Sequence, residues 1–251
     1  MYYLYGITDQ PLLARLSELA GIGSPPYPVE TYRLGDHYVI VSEWERAGAL
    51  TPADAVAHAR LLENVGKAQT VVPVRLGTVA QDVKDLDRAI KDNEGALSDL
   101  LYKLAGRMEV GIKVYWTDKL LQETIAKHVD LERAKIDSLM NPAREREIAM
   151  EVGQVAQQIT DEWRERALSL LMARLRPHTD DAAIGRLTSI YMLANVSFLI
   201  RRDAEPIFQA EVGQLGVDIG KDFEIHYANN LPPFNFANLN LRRNAHGGTV
   251  S

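Results

Sequence analysis

The spacing of apolar residues switches repeatedly between an alternating and a helical period. Residues 2–7 form a Tyr, Leu and Ile run that stops at Gly6 or Thr8, which predicts a strand. Over residues 11–20, Leu12, Leu16 and Leu19 share one helical side and Gly21 supplies a stop. Gly35-Asp36 then separates the apolar runs 32–34 and 37–42, the pattern of a β-hairpin with a tight turn. At Thr51-Pro52-Ala53-Asp54 a helix begins. Thr51 is the cap, Pro52 the first helical residue, and Asp54 faces the positive end of the helix dipole. Ala55, His58, Leu62 and Val65 follow on one side, with Gly66 as the stop. Residues 69–76 are apolar on both faces around Pro73 and predict a strand. The order so far is β-α-β-β-α-β, and two short helices, 82–91 and 94–104, lead out of it.

The second half repeats that order on a larger scale. Residues 107–116 predict a strand and 118–139 a helix. Asn141-Pro142 caps a second helix reaching about residue 174, with Ile148, Val152, Val155, Ile159, Trp163 and Leu170 on its apolar side. Such a helix is roughly 50 Å long and should pair with its predecessor. A short strand near 183–186 precedes a long alternating run, 188–200, with Ile190, Met192, Ala194, Val196, Phe198 and Ile200 on one face. A helix over 203–215 and a strand over 223–228 complete the set. The expected fold class is α+β, with an N-terminal α+β domain over 1–105, a ferredoxin-like domain with a long helical pair over 106–228, and an extended tail over 229–251. Pro232-Pro233 removes two backbone donors, so the tail is not a central strand.

Composition adds few constraints. The chain of 251 residues is 46% hydrophobic, enough for a sizeable core, and its lack of cysteine excludes disulfides and thiolate chemistry. The formal charge of −6, with bases and acids interleaved as in Arg144-Glu145-Arg146-Glu147, does not suit a nucleic-acid partner. The N-terminus lacks a basic leader region and meets Asp9 early, and no apolar stretch reaches the roughly 18 residues of a bilayer span. Neither a leader nor a membrane partner is expected, and a cytoplasmic location fits.

No phosphate loop, zinc-protease helix, nucleophile elbow or calcium loop is present, and no two histidines share a helix face at metal-ligand spacing. We therefore expect no catalytic residue, metal or cofactor. Several residues stand out as anchors or interaction points. His58 lies on the apolar face of its helix and Arg75 in the following strand. His58 reads as a buried, hydrogen-bonded histidine or as a polar anchor in a groove. Pro73 marks an edge strand, either blocking unwanted pairing or open to a second chain. Glu109 and Lys113, four apart on a strand, point to one face and read as a surface ion pair or as a polar feature at a seam between domains. In the tail, Pro232 and Pro233 stiffen an apolar strip of Phe234, Phe236, Leu239 and Leu241, which either covers its own domain or binds a partner.

Four segments stand in a telling order. They are Tyr2-Tyr3-Leu4-Tyr5-Gly6-Ile7, Val71-Val72-Pro73-Val74-Arg75-Leu76-Gly77-Thr78, the strand from Gly106 to Tyr115, and Asn229-Asn230-Leu231-Pro232-Pro233-Phe234-Asn235-Phe236. In order and spacing they resemble the gas vesicle GvpL/GvpF family, over about residues 3–241. The Leu231-Pro232-Pro233-Phe234 form of the tail is closer to the F branch than to the L branch. The resemblance implies an α+β N-terminal domain and a modified ferredoxin-like C-terminal domain. It also implies a non-enzymatic role in gas vesicle assembly, either guarding the shell protein before assembly or acting as a minor component of the vesicle. The implied partner is the major hydrophobic shell protein, with other gas vesicle accessory proteins, and the location is the gas vesicle or the cytoplasm. The same resemblance makes the His58 helix and the Pro-x-Arg-x-Gly-Thr strand structural. The competing expectation is a small-molecule enzyme on a ferredoxin-like scaffold, with a polar pocket around His58, Arg75 and Glu109.

Overall fold

The computed structural model describes residues 1–12, 19–45, 49–128, 140, 145–239 and 241. Its contacts fall into two compact units. One is Met1–Glu109 together with the segment from Asn229 onward, and the other is Val110–Ala228.

The first unit is built round β1 (Tyr2–Thr8), buried from Tyr3 to Thr8. β2 (Glu30–Leu34) and β3 (His37–Glu43) form the expected hairpin, with Gly35 at φ +62 in the turn where a side chain would be strained. The sheet order is β2-β3-β1-β4, with β4 (Val72–Pro73) and β5 (Val79–Ala80) lying antiparallel along the same edge of β1. The expected continuous strand over 69–76 is therefore only two residues long. Pro73 has no N–H to donate, Gly77 turns at φ +86, and Thr78 N–H closes a turn on Arg75 O at 3.2 Å. Val74 N–H and Thr78 O still bond β1 across that break.

α1 (Pro52–Ala68) starts with a full capping box between Thr51 and Asp54 and runs two residues past Gly66. Its Leu61, Leu62 and Val65 pack on Tyr3, Tyr5 and Ile40 in the centre of the unit. Gly6 permits this approach, since a Cβ there would meet Val71 at 2.8 Å and Leu62 at 2.9 Å. α2 (Val83–Lys91), capped by Asp82, and α3 (Glu94–Leu104) match their expected positions. Most of the helix expected over 11–20 lies outside the described residues.

The second unit contains α4 (Asp118–His128), α5 (Glu145–Leu175), β7 (Asp181–Ile184), β8 (Met192–Arg201) and α6 (Glu205–Ile219), with most of β6 (Arg107–Trp116) and of β9 (Phe223–Leu231), whose residues 107–109 and 229–231 belong to the first. The strand order β7-β8-β6-β9 repeats that of the first sheet: the first strand inside, the second outermost, and the fourth on the far edge. The molecule is thus a mixed α+β protein with two antiparallel sheets of one topology. α5 packs on β8, α4 and α6, and Arg174 ties it to α6 through Asp218 at 2.9 Å and Glu211 at 3.4 Å. The parts of the helical pair expected over 129–139 and 142–144 lie outside the described residues. Two details differ from the sequence pattern. The buried side of α5 runs through Leu171 and Leu175, four-residue steps on from Trp163, so Leu170 is 40% exposed. The alternating run begins as a strand only at Met192, because Trp116 Nε1–H holds Ile190 O at 3.0 Å in the preceding loop.

Candidate functional site at the docked C-terminal segment

His58 is 2% exposed in the middle of α1. Its Nε2 lies 3.1 Å from Val74 O, which can only accept, so Nε2 carries the proton. Nδ1 is then the acceptor for the Tyr3 hydroxyl at 2.8 Å. Tyr3 receives a longer bond, 3.4 Å, from Gly77 N–H. Sequence and geometry together thus fix a neutral histidine that joins α1, β1 and the 74–77 turn. Burial, only partly offset by the Val74 carbonyl, pushes the His58 pKa down to about 4, and burial holds the Tyr3 phenol above its ordinary range. The neighbouring Tyr5 hydroxyl is also engaged: it takes Ile22 N–H at 2.9 Å and lies 2.9 Å from Ser42 Oγ, which itself donates to Pro28 O.

The tail closes over this histidine. Pro232 and Pro233 are buried, and the chain then turns, with Phe234 N–H on Pro232 O at 2.7 Å and Phe236 N–H on Pro233 O at 3.1 Å. The Phe234 ring stacks on His58 at 6.1 Å between centroids and stays 38% exposed. Phe236 is 5% exposed beneath Lys103, whose Nζ is 5.8 Å from the ring centre. Between the two rings, Asn235 is held twice by Glu109. Its N–H reaches Oε2 at 3.1 Å and its Nδ2 reaches Oε1 at 2.6 Å. Further along, Leu241 lines a cavity of about 100 Å³ with Leu4, Val79 and Leu86.

The structure therefore brings His58, Glu109, Phe234 and Phe236 into one docking site, with Pro232 and Pro233 as its approach. It does not bring in the other candidates as the sequence suggested. Glu109 is 3% exposed and clasps the tail, which corrects the expected surface ion pair with Lys113; Lys113 is exposed. A carboxylate survives burial here because charged hydrogen bonds replace its water. Pro73 is buried on the short edge strand opposite Gly6. Arg75 is exposed and does not join His58 and Glu109 in a polar pocket. Tyr3 and Asn235 were missed from the sequence. Asn235 had one usable signal, its place as a polar residue between two apolar anchors. Among the described residues no cluster of histidines and carboxylates could hold a metal, and no helix is long and apolar enough to cross a membrane.

The titration of His58 gives a testable pH window. Its folded pKa lies below the unfolded value of about 6.5, so its contribution is complete above that value. As the pH falls towards about 4, the unfolded chain takes up a proton that the native chain refuses. The expected loss is about 1.4 kcal/mol per unit over that interval. Denaturant unfolding at pH 7 and pH 5 should show His58→Gln losing about 2 kcal/mol less between the two than the native chain. Equal losses in the two proteins would contradict this assignment.

Comparison with known proteins adds an independent line. The family model described as gas vesicle synthesis protein GvpL/GvpF matches residues 1–238. Gas vesicle protein F of Nostoc sp. (strain PCC 7120) is 26% identical over 242 residues, covering 94% of this chain and 98% of the relative. Gas vesicle protein F of Dolichospermum flosaquae is also 26% identical, with 94% and 97% covered. A crystal structure of GvpF from Anabaena sp. PCC7120 superposes with a TM-score of 0.80 at 24% identity, over 98% of this chain and 99% of that one.

Proposed function

Because the chain belongs to the GvpL/GvpF family of gas vesicle proteins, which supports a gas-vesicle-associated role, we propose that it assists vesicle assembly by binding the major hydrophobic shell protein, without catalysis. The observation that carries this reading is the family match over residues 1–238. The chemistry of the docking site agrees with it. The His58 ring nitrogens and the Glu109 carboxylate oxygens are taken up by internal hydrogen bonds, which suits holding a shape better than transferring a proton. The second unit offers an apolar surface for such a partner: a groove of about 170 Å³ lined by Val114, Trp163, Leu170, Leu171, Leu215, Ile219 and Phe223. A shell subunit with a large apolar face needs such cover before it assembles. Other accessory proteins of the vesicle are further partners under this reading, and the working location is the cytoplasm or the vesicle itself.

The test is co-expression with the major shell protein. The native chain should raise the fraction of shell protein that stays in solution and co-purify with it. Leu170→Glu, which charges the groove at an exposed position, should reduce co-purification about tenfold while leaving the melting curve in place. No association of the native chain with the shell protein under assembly conditions would end the proposal.

A further inference from the structure

In the second unit, residues 184–191 lead from the end of β7 into β8 and carry four large apolar side chains on the surface. Ile184, Leu187, Ile190 and Tyr191 are between 38% and 64% exposed. The backbone beneath them is fixed. Gly185 N–H bonds Asn195 O at 2.8 Å, and Asn195 Nδ2 donates to Arg186 O at 2.9 Å. A Cβ at Gly185 would come within 2.5 Å of that Nδ2, so glycine suits the position. Arg164 of α5 donates to Ser189 O at 3.2 Å. Trp116 holds Ile190 O through its ring N–H at 3.0 Å and Tyr191 O through its backbone N–H at 3.1 Å. Such a loop presents its apolar side chains at little further ordering cost.

The loop also continues the apolar groove between α5 and α6. The Trp116 ring that anchors Ile190 lies 6.1 Å from the Trp163 ring, and Trp163 lies 5.5 Å from Phe223. Trp163 and Phe223 both line the groove. Arg186 is the only charged residue of 184–191. It is exposed, and its guanidinium has no hydrogen bond or ion pair among the described residues. Exposed apolar side chains round a free guanidinium fit a partner that is apolar and brings a carboxylate. An anionic lipid surface fits less well, because it is held by several basic residues together. Here Asp118 accepts the Tyr191 hydroxyl beside the loop, and the chain has a net charge of −6. We propose that residues 184–191 are the anchoring half of the shell-protein interface, an inference that rests on the shell-binding reading: the loop's apolar side chains pack on the apolar face of the shell subunit beside the groove, and Arg186 pairs with a carboxylate of that subunit.

The experiment is co-expression of the intact chain with the major shell protein. Ile190→Asp and Arg186→Glu each change an exposed side chain, so the melting curve should stay in place while co-purification falls at least about tenfold. Arg186→Lys keeps the charge but not the planar fork and should lose about threefold. Each acidic residue of the shell protein is then changed in turn to Arg and paired with Arg186→Glu. At one position co-purification should return to within about threefold of the native pair. If Ile190→Asp and Arg186→Glu bind the shell protein as well as the native chain does, the loop is not the anchor, and the groove reading stands without it. If Arg186→Glu loses binding and no acidic position restores it, the carboxylate pairing is wrong. A native chain that does not associate with the shell protein removes both readings. Binding to phosphatidylglycerol vesicles that Arg186→Glu abolishes, with shell binding unchanged, would make the loop a membrane contact instead.

Discussion

Glu109→Ala is expected to lower stability by about 3 kcal/mol and to free the tail. Two charge-assisted hydrogen bonds to Asn235 disappear. Asn235→Ala removes one of those two bonds and keeps the backbone one, so its cost should be about half as large. The two changes act on one interaction, so the double variant should fall short of their sum by about 1–2 kcal/mol. Glu109→Gln keeps one acceptor and should lie between. Chemical denaturation of the four proteins gives these values, and limited proteolysis after Leu231 reports the loosened tail. Strict additivity would mean that the clasp contributes nothing of its own.

The second large effect concerns the two aromatic anchors. Phe234→Ala with Phe236→Ala should lower stability by about 4 kcal/mol, most of it from Phe236. Phe236 is almost fully enclosed, whereas Phe234 leaves over a third of its surface in water. In a chain of this size the shift in melting temperature is about 10 °C. Shell-protein binding per folded molecule should change little, because the buried anchor is engaged in covering its own unit. A melting curve that stays in place while binding falls tenfold would reverse the assignment and make the segment a binding peptide.

Local signals carried most of the fold into the sequence. The capping residues of α1, the Gly35 turn and the spacing of α2 and α3 each act within a few residues, and each element formed where its signal lay. The repeated β-α-β-β-α-β order likewise appears as two sheets of one topology. The strand over 69–76 failed for a local reason that the sequence also contained. Pro73 and Gly77 interrupt it, and their turn was outweighed by a run of Val and Leu. The site was less legible. His58 was singled out from its place on an apolar helix face, and the Phe pair from its spacing. Glu109 was misread because its partner is 126 residues away in sequence. A strand pattern shows which face a residue points to, but not what later covers that face.

The first compact unit takes its members from both ends of the sequence, Met1–Glu109 and the segment from Asn229 onward. During synthesis this imposes an order. α1, the hairpin and β6 leave the ribosome while the residues that will cover His58 and Glu109 are still untranslated, more than a hundred codons away. Until then a carboxylate placed for burial faces water with no amide in front of it. The first half of the chain can collapse early, but it reaches its final state only when the last part arrives. A ribosome that stalls before codon 235 releases a chain with an open clasp. The clasp thus closes only on a chain that carries residue 235.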